Sequence, residues 1–297
     1  MSNLDLSSFK NIQILENEPM SEHISFKLGG KAKRFITVTE QEAPLLIATL
    51  NASGEKYAVI GNGTNILVRD EGFDGTIVKL MPSLPVIDGT TLTVGAGTLL
   101  SVTASSAAES GLTGLEFAHG IPGTVGGAVM MNAGAYGGEI KDVLVSTDYC
   151  TPEGKVLTLS SAEHNFGYRQ SFFKAHPEML ILRSTFRLSV GDKAEIKEKM
   201  SDLARRRRES QPLDKPSAGS TFKRPEGFFA GKLIEDCNLK GFSIGGAQVS
   251  AKHAGFVINT GNATCKDVLD LCEHIKKTVF STYGAVLERE VKILGEE

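Results

Sequence analysis

Seven glycines, one proline and no charged residue crowd into Gly120–Gly138, GIPGTVGGAVMMNAGAYGG. Glycine costs about 1 kcal/mol per helix position relative to alanine, so this run is not expected to be a regular helix. It does not read as a linker either, because Ile121, Val125, Ala128, Val129, Met130 and Met131 are apolar and favour burial. Glycine permits positive φ and lets another backbone or a ligand come close. Consecutive N–H groups in such loops can form anion-binding nests. A buried loop wrapped round a phosphorylated cofactor meets these constraints, and a glycine-rich structural turn is the plainer alternative.

The remaining sequence sets limits. A chain of 297 residues can hold two or three domains with their own cores. Its 41% hydrophobic and 23% charged residues are ordinary for a soluble globular protein. A formal net charge of −3 offers no global attraction to nucleic acid or to an acidic membrane, and neither is expected as a partner. No apolar run approaches the ~20 residues that span a bilayer. The first residues, MSNLDLSSFK, lack the basic-then-apolar order of a secretory signal, so a cytoplasmic location is expected. Cys150, Cys237, Cys265 and Cys272 form no CxxC pair and read as reduced thiols, with no metal site.

Residues 1–20 are polar and are expected to form an N-terminal helix or arm. A strand follows at Phe35–Val38, and Thr39 with Glu42 has capping-box spacing before a helix that ends near Gly54. Further strands are expected at 57–60, 66–68 and 76–80, a βαβ-like start. Pro82 and Pro85 mark a subdomain boundary near 81–87. Beyond it come a strand at 91–94, a small-sided helix over 99–110, a hairpin of 143–149 with 155–159, and a strand at 181–190. Beyond Gly191 the composition changes to a charged helix over 193–209 with Ile196, Met200 and Leu203 on one stripe, so a domain boundary is placed at about 191. The last hundred residues hold a loop at 218–225, a glycine-rich strand region over 239–259, a helix opened by Thr264 and Asp267, and a strand at 287–294. The Arg205–Arg208 run reads as a solvated helix end, with a contact to a substrate diphosphate as the minority option.

Gly61-Asn-Gly-Thr-Asn65 follows a predicted strand as a dinucleotide fingerprint would, yet GxGxxG fails at Ile66 and the acidic residue expected about 20 positions on is missing. A Rossmann domain is therefore disfavoured. Two separate glycine-rich loops remain, able to approach one diphosphate from two sides. No HExxH, GxSxG, P-loop or DxDxDG motif is present. His119 borders the central loop and could touch a cofactor or be an ordinary hydrogen-bonded histidine. Arg169, Ser220 and Glu290 stand out in glycine or aromatic surroundings, although a surface arginine, a turn serine and an exposed strand glutamate would also explain them.

GNGTNILV from Gly61, GIPGTVGGAVMMNAGAYGGEI from Gly120, GYRQSFFK from Gly167, PSAGSTFKRP from Pro216, GKLIEDCNLKGFSIGGAQVS from Gly231 and LEREVKI from Leu287 together resemble the UDP-N-acetylenolpyruvoylglucosamine reductase (MurB) family. The resemblance runs over nearly the whole chain. It implies an α+β protein: a p-cresol-methylhydroxylase-like, two-subdomain FAD-binding domain over residues 21–190 (subdomains about 21–80 and 81–190), and an α+β domain over 191–297 that binds the uridine diphosphate sugar. It implies non-covalent FAD with NADPH as co-substrate, and a monomer. Implied FAD contacts are Gly61, Asn62, Gly63, Thr64, Asn65, His119, Gly120, Ile121, Pro122, Gly123, Thr124, Gly126, Gly127, Asn132, Ala133, Gly134 and Ala135. The family's catalytic arginine, serine proton donor and glutamate fall on Arg169, Ser220 and Glu290. The segment between Arg169 and Ser220 is short, as in the subtype without a tyrosine-bearing lid loop, and Gln170 stands where many relatives have Asp.

The implied reaction reduces the enolpyruvyl group of UDP-N-acetylglucosamine enolpyruvate to give UDP-N-acetylmuramate for peptidoglycan. Hydride reaching the vinyl CH2 leaves negative charge on the neighbouring carbon and its carboxylate. An always-cationic arginine can fork onto that carboxylate. A serine hydroxyl is a weak acid, suited to protonate only a strongly basic, enolate-type centre, and no paired base marks Ser220 as a nucleophile. Glu290 would hydrogen-bond the substrate as an acid or orient the other two. The competing readings are another oxidoreductase of the same flavin fold and a non-catalytic nucleotide binder using Arg205–Arg208.

Overall fold

The structure, a computed structural model, describes residues 5–294; four residues of the predicted N-terminal arm and the last three of the predicted sugar-binding domain lie outside them. The chain divides into two units. The first draws on Met1–Leu15, Arg34–Asn62 and Gly75–Arg206, the second on Glu16–Lys33, Gly63–Asp74 and Arg207–Glu297. Whereas the change of composition suggests a boundary at about 191, the first unit runs on to Arg206. Helices and mostly antiparallel strands make the fold α+β. Among the described residues no helix is long and apolar enough to cross a membrane.

In the first unit, helix α1 (Ala43–Ser53) has Pro44 in its first turn, where a missing N–H costs nothing, and buries Ala43, Leu46, Ile47 and Leu50. Gly54, left-handed at φ 69°, ends it. The predicted Thr39–Glu42 capping box does not form, because the Glu42 carboxylate accepts the backbone N–H groups of Lys10 (3.1 Å) and Asn11 (2.9 Å). The strand Tyr57–Ile60 runs parallel to Phe73–Leu80, with Tyr57 opposite Thr76. Of the predicted N-terminal helix or arm, Ile12–Pro19 is a sheet-edge strand and not a helix. Most of its side chains are exposed, so it has no apolar stripe with which to pack as a helix.

A second, antiparallel sheet orders its strands Val156–Ser160, Leu144–Cys150, Leu180–Arg187, Thr91–Gly95 and Val86–Asp88. It contains the predicted hairpin and adds the unexpected edge strand Val86–Asp88. Helix α2 (Leu100–Glu109) contributes Leu100, Ala104, Ala107 and Ala108 to the core. Contrary to expectation, the glycine-rich run holds a short helix, α3 (Val125–Met130), capped by Thr124 Oγ1, which accepts the Gly127 N–H. Burial of Val125, Ala128 and Val129 offsets the glycine cost, and bare Gly126 allows close packing, since a Cβ there would stand 2.9 Å from Ala96 Cβ. Helices α4 (Phe172–Ala175) and α5 (Lys193–Ser210) follow. Ile196 and Met200 of α5 are buried, while Leu203 is half-buried.

In the second unit, Ser217–Ser220, Phe256–Asn259, Ala247–Val249 and Ser243–Ile244 form an antiparallel sheet. Part of the predicted 218–225 loop is thus an edge strand. Helices α6 (Ala230–Asp236) and α7 (Cys265–Tyr283) belong to this unit, α7 burying Val268, Leu271, Cys272, Ile275 and Val279. The predicted 287–294 strand shortens to Lys292–Leu294, parallel to Ile66–Val68. All four cysteines are free, and burial pushes the Cys150 and Cys265 thiols up to about 11 and Cys272 to about 12, keeping them protonated.

The orphan N–H groups that open α7 are met by side chains. Asp70 accepts from Cys265 (2.7 Å) and Lys266 (3.0 Å), and Thr264 Oγ1 accepts from Asp267 (3.0 Å). The Asp267 carboxylate returns a bond from the Thr264 N–H (3.0 Å), which holds it below the usual aspartate range against slight desolvation. The stabilisation is therefore complete above that range and lost as pH falls through the lowered value. Replacing Thr264 with Ala should cost about 1 kcal/mol, read as a lower urea midpoint; an unchanged midpoint would show that the cap is redundant.

Candidate active site

Gly61 and Asn62 leave the Tyr57–Ile60 strand and meet the glycine-rich loop of the same unit. A Cβ on Gly61 would stand 2.4 Å from Thr124 Oγ1, so only glycine fits without displacement. Asn62 Nδ2 donates to Pro122 O at 2.7 Å. The Gly123 carbonyl accepts the Leu100 N–H (3.0 Å), fixing that part of the loop to α2. His119 follows the single helical turn Glu116–Ala118, and Ile121 N–H donates to Ala118 O, bracketing Gly120. The buried Nδ1 of His119 has no hydrogen-bond partner among the described residues. An orphaned ring nitrogen beside closely approached, bare backbone fits a bound flavin nucleotide, which could satisfy it.

Other predicted flavin contacts are already engaged inside the protein. Gly126 N–H donates to Ala96 O (2.9 Å) and Gly127 N–H to Thr124 Oγ1 (3.3 Å), so neither amide is open to a ligand. Asn132 is buried, and its Nδ2 donates to Glu139 Oε2 (3.0 Å) and Gly167 O (3.1 Å) while its Oδ1 accepts the Lys141 N–H (3.0 Å). Its side chain is thereby a scaffold. Ala133 N–H donates to Ala128 O, and Gly134 and Ala135 pair with Glu139 and Gly138. Gly63, half-buried Thr64 and Asn65 belong to the second unit. There the Gly63 carbonyl accepts the Ser25 N–H (3.1 Å), and the Asn65 carbonyl accepts the Lys292 N–H (3.1 Å).

Arg169 lies in the first unit, in a turn closed by Gly167 N–H to Gln170 O (3.1 Å) and Gln170 N–H to Gly167 O (3.2 Å). Gln170 acts here through its backbone, which tolerates Gln in place of Asp. Arg169 itself is left-handed at φ 53°, a conformation that costs a residue with a Cβ about 1–2 kcal/mol. Strain of this kind persists only where neighbours over-determine it. Three do so: Asn132 through Gly167 O, Ser171 Oγ donating to Met130 O (2.7 Å), and Lys174 Nζ donating to Arg169 O (2.6 Å). The guanidinium also lies 5.3 Å from the Tyr168 ring centroid. Sequence reading missed Ser171 and Lys174, although both stand in the GYRQSFFK motif.

Ser220 and Glu290 both lie in the second unit. Gly219, at φ 75°, turns the strand so that Ser220 is exposed while Thr221 is buried. Thr221 Oγ1 accepts the Val257 N–H (3.0 Å), and Thr221 O accepts the Glu290 N–H (2.9 Å). With Lys223 N–H donating to Glu288 O (2.8 Å), this lays the segment through Glu290 along the continuation of the serine strand. Asn65 Nδ2 also donates to Glu290 O, at 3.4 Å. A hydroxyl proton and a carboxyl group are thus carried on neighbouring backbone. The predicted alternation from Leu287 holds in the burial of Leu287 and Val291, even without a continuous strand. In the first unit, Arg205 and Arg206 pair with Asp202 at 2.5 and 2.7 Å, as solvated helix-end charges do.

Residues 211–294 match the model of the UDP-N-acetylenolpyruvoylglucosamine reductase C-terminal domain, and residues 34–160 match an FAD binding domain. A UDP-N-acetylenolpyruvoylglucosamine reductase of Caldanaerobacter subterraneus subsp. tengcongensis is 50% identical over 95% of this chain and 93% of its own. The Clostridioides difficile enzyme of that name is 45% identical over 99% and 97%. Among solved structures, the Thermus caldophilus UDP-N-acetylenolpyruvylglucosamine reductase superposes with a TM-score of 0.81 at 35% identity, covering 96% of this chain and 99% of that one.

Proposed function

Because the chain belongs to the UDP-N-acetylenolpyruvoylglucosamine reductase family, we propose that Arg169, Ser220 and Glu290 are the groups with which it reduces UDP-N-acetylglucosamine enolpyruvate to UDP-N-acetylmuramate. It is an FAD- and NADPH-dependent oxidoreductase of peptidoglycan synthesis. Held by the glycine-rich segments around Gly61 and Gly120, FAD would supply the hydride-transfer chemistry that links NADPH to the enolpyruvyl group. The carrying observation is the placement of Ser220 and Glu290 on neighbouring backbone, joined through Thr221, in the unit that contains the matched reductase domain.

Arg169 binds the substrate carboxylate through its planar fork and meets the negative charge that grows there as hydride arrives. Ser220 gives its hydroxyl proton to the carbon beside that carboxylate, completing the addition of H2 across the double bond. Glu290 orients the substrate or the serine from the adjacent segment. Residues 21–190 bind FAD in this reading, with Gly61–Asn65, residues 119–124, Gly126, Gly127 and residues 132–135 as its contacts, and residues 191–297 bind the uridine diphosphate sugar. The reaction takes place in the cytoplasm and needs neither a membrane nor nucleic acid. Incubation with NADPH and the enolpyruvyl sugar nucleotide should consume the two in equal amounts and yield a product heavier by two hydrogens on mass spectrometry. Recovery of unchanged sugar nucleotide would overturn the reading.

Gly61→Val adds bulk where even a Cβ meets Thr124 Oγ1 at 2.4 Å, and should push the two glycine-rich loops apart. Flavin content after gel filtration should fall by about tenfold or more, the equivalent of about 1.4 kcal/mol or more in affinity. Binding of the uridine diphosphate sugar, measured by titration calorimetry, should persist. Full retention of flavin would remove Gly61 from the cradle.

A further inference from the structure

We propose that Lys174 is a positioning residue for Arg169, holding the arginine in the left-handed conformation from which its guanidinium serves the substrate carboxylate. The inference rests on the catalytic role given to Arg169 above. A half-buried lysine ordinarily extends its ammonium into water, where it is best solvated. Lys174 instead turns back across its own short helix and donates to Arg169 O at 2.6 Å. That carbonyl belongs to the Arg169–Gln170 peptide, immediately after the Cα held at φ 53°.

The anchors on either side divide the work. Asn132, buried and itself at φ 41°, grips the start of the turn at Gly167 O. Buried Ser171 grips its end: its Oγ donates to Met130 O and accepts the Lys174 N–H at 3.3 Å, which also places Lys174 at the start of α4. Neither reaches the arginine's own peptide. Lys174 does, with a charge-assisted bond. Without it this peptide, still bonded through Gln170 N–H to Gly167 O, loses the anchor on its carbonyl, and Arg169 is freer to relax toward an ordinary φ, which would swing its side chain away while leaving the buried anchors in place. The Glu139 carboxylate, paired with Lys141 at 2.6 Å, also interacts with the Arg169 charge.

Stopped-flow measurement of the two half-reactions on the FAD-loaded enzyme tests this, together with flavin content and substrate affinity from a spectral titration. Lys174→Met should retain flavin and its reduction by NADPH. It should slow reoxidation by the enolpyruvyl sugar about tenfold, with a smaller change in affinity, because misplacement by a fraction of an ångström acts on the reacting geometry. Lys174→Arg, which can also donate to the carbonyl, should recover most of the rate. A Lys174→Met enzyme with unchanged reoxidation would overturn the proposal. So would one slowed equally in both half-reactions, which would mark a general structural role. Arg169→Gln measured in parallel separates the two claims: if it too reoxidises at the parent rate, the catalytic reading of Arg169 fails first. If only Arg169→Gln is slow, the positioning role of Lys174 alone is lost.

Discussion

Ser220→Ala should leave flavin reduction by NADPH at the parent rate and slow reoxidation by the enolpyruvyl sugar nucleotide by roughly 10²–10⁴-fold, the usual contribution of a positioned proton donor. The asymmetry follows from the chemistry. Taking hydride from NADPH needs no proton on a substrate carbon, whereas saturating the enolpyruvyl double bond does. Serine is too weak an acid to protonate anything but a strongly basic carbon, so the loss should fall on that step and not on sugar binding. The exposed position of Ser220 lets a small side chain replace it without a void in the core. The backbone that holds it, with Ser220 opposite Phe256 and Thr221 bonded to Val257, does not depend on its hydroxyl. Equal half-reaction rates in variant and parent would remove Ser220 from its role.

Arg169→Gln should lower the reoxidation rate by roughly 10²–10³-fold, comparable to the loss of one preorganised donor at a developing anion. Glutamine keeps hydrogen-bonding capacity but no charge, so the substrate carboxylate loses the fixed cation that its growing negative charge needs. Arg169→Lys should fall between the two, because an ammonium is a point charge without the planar fork. Flavin reduction should again be unaffected. The φ of 53° adds a check, since Arg169→Gly removes the Cβ that makes this conformation costly. That variant should be as slow as Arg169→Gln while its melting temperature does not fall. A fast Arg169→Gln enzyme would leave the substrate carboxylate without its assigned partner.

Much of the fold could be read from local pattern. The 3.6-residue spacing of Val268, Leu271, Cys272, Ile275 and Val279 and the Thr264–Asp267 box anticipated α7, and alternation anticipated the hairpin of the five-stranded sheet. What escaped was decided by contacts distant in sequence. Glu42 caps nothing in its own helix because residues 10 and 11 claim its carboxylate, and α3 forms despite its glycines because Ala96 and Thr98 accept its first N–H groups. For the same reason residues 16–33 and 63–74 group with residues 207–297, a partition no composition shift marks.

The candidate site was legible as motifs and less so as geometry. Arg169, Ser220 and Glu290 could be named from the motifs that carry them, but nothing in the letters GYRQ marks a left-handed arginine. The resemblance implies Asn132 as a flavin contact, yet its Nδ2 hydrogens are spent on Glu139 and Gly167 and its Oδ1 accepts from Lys141. Hydrogen-bond accounting of that kind requires coordinates.

The most direct test is the visible spectrum of the purified protein, followed anaerobically through two additions. The protein should carry the absorption of an oxidised flavin, lose it when NADPH is added, and regain it when UDP-N-acetylglucosamine enolpyruvate follows. A colourless protein, or a flavin that NADPH bleaches and the enolpyruvyl sugar fails to restore, would contradict the account.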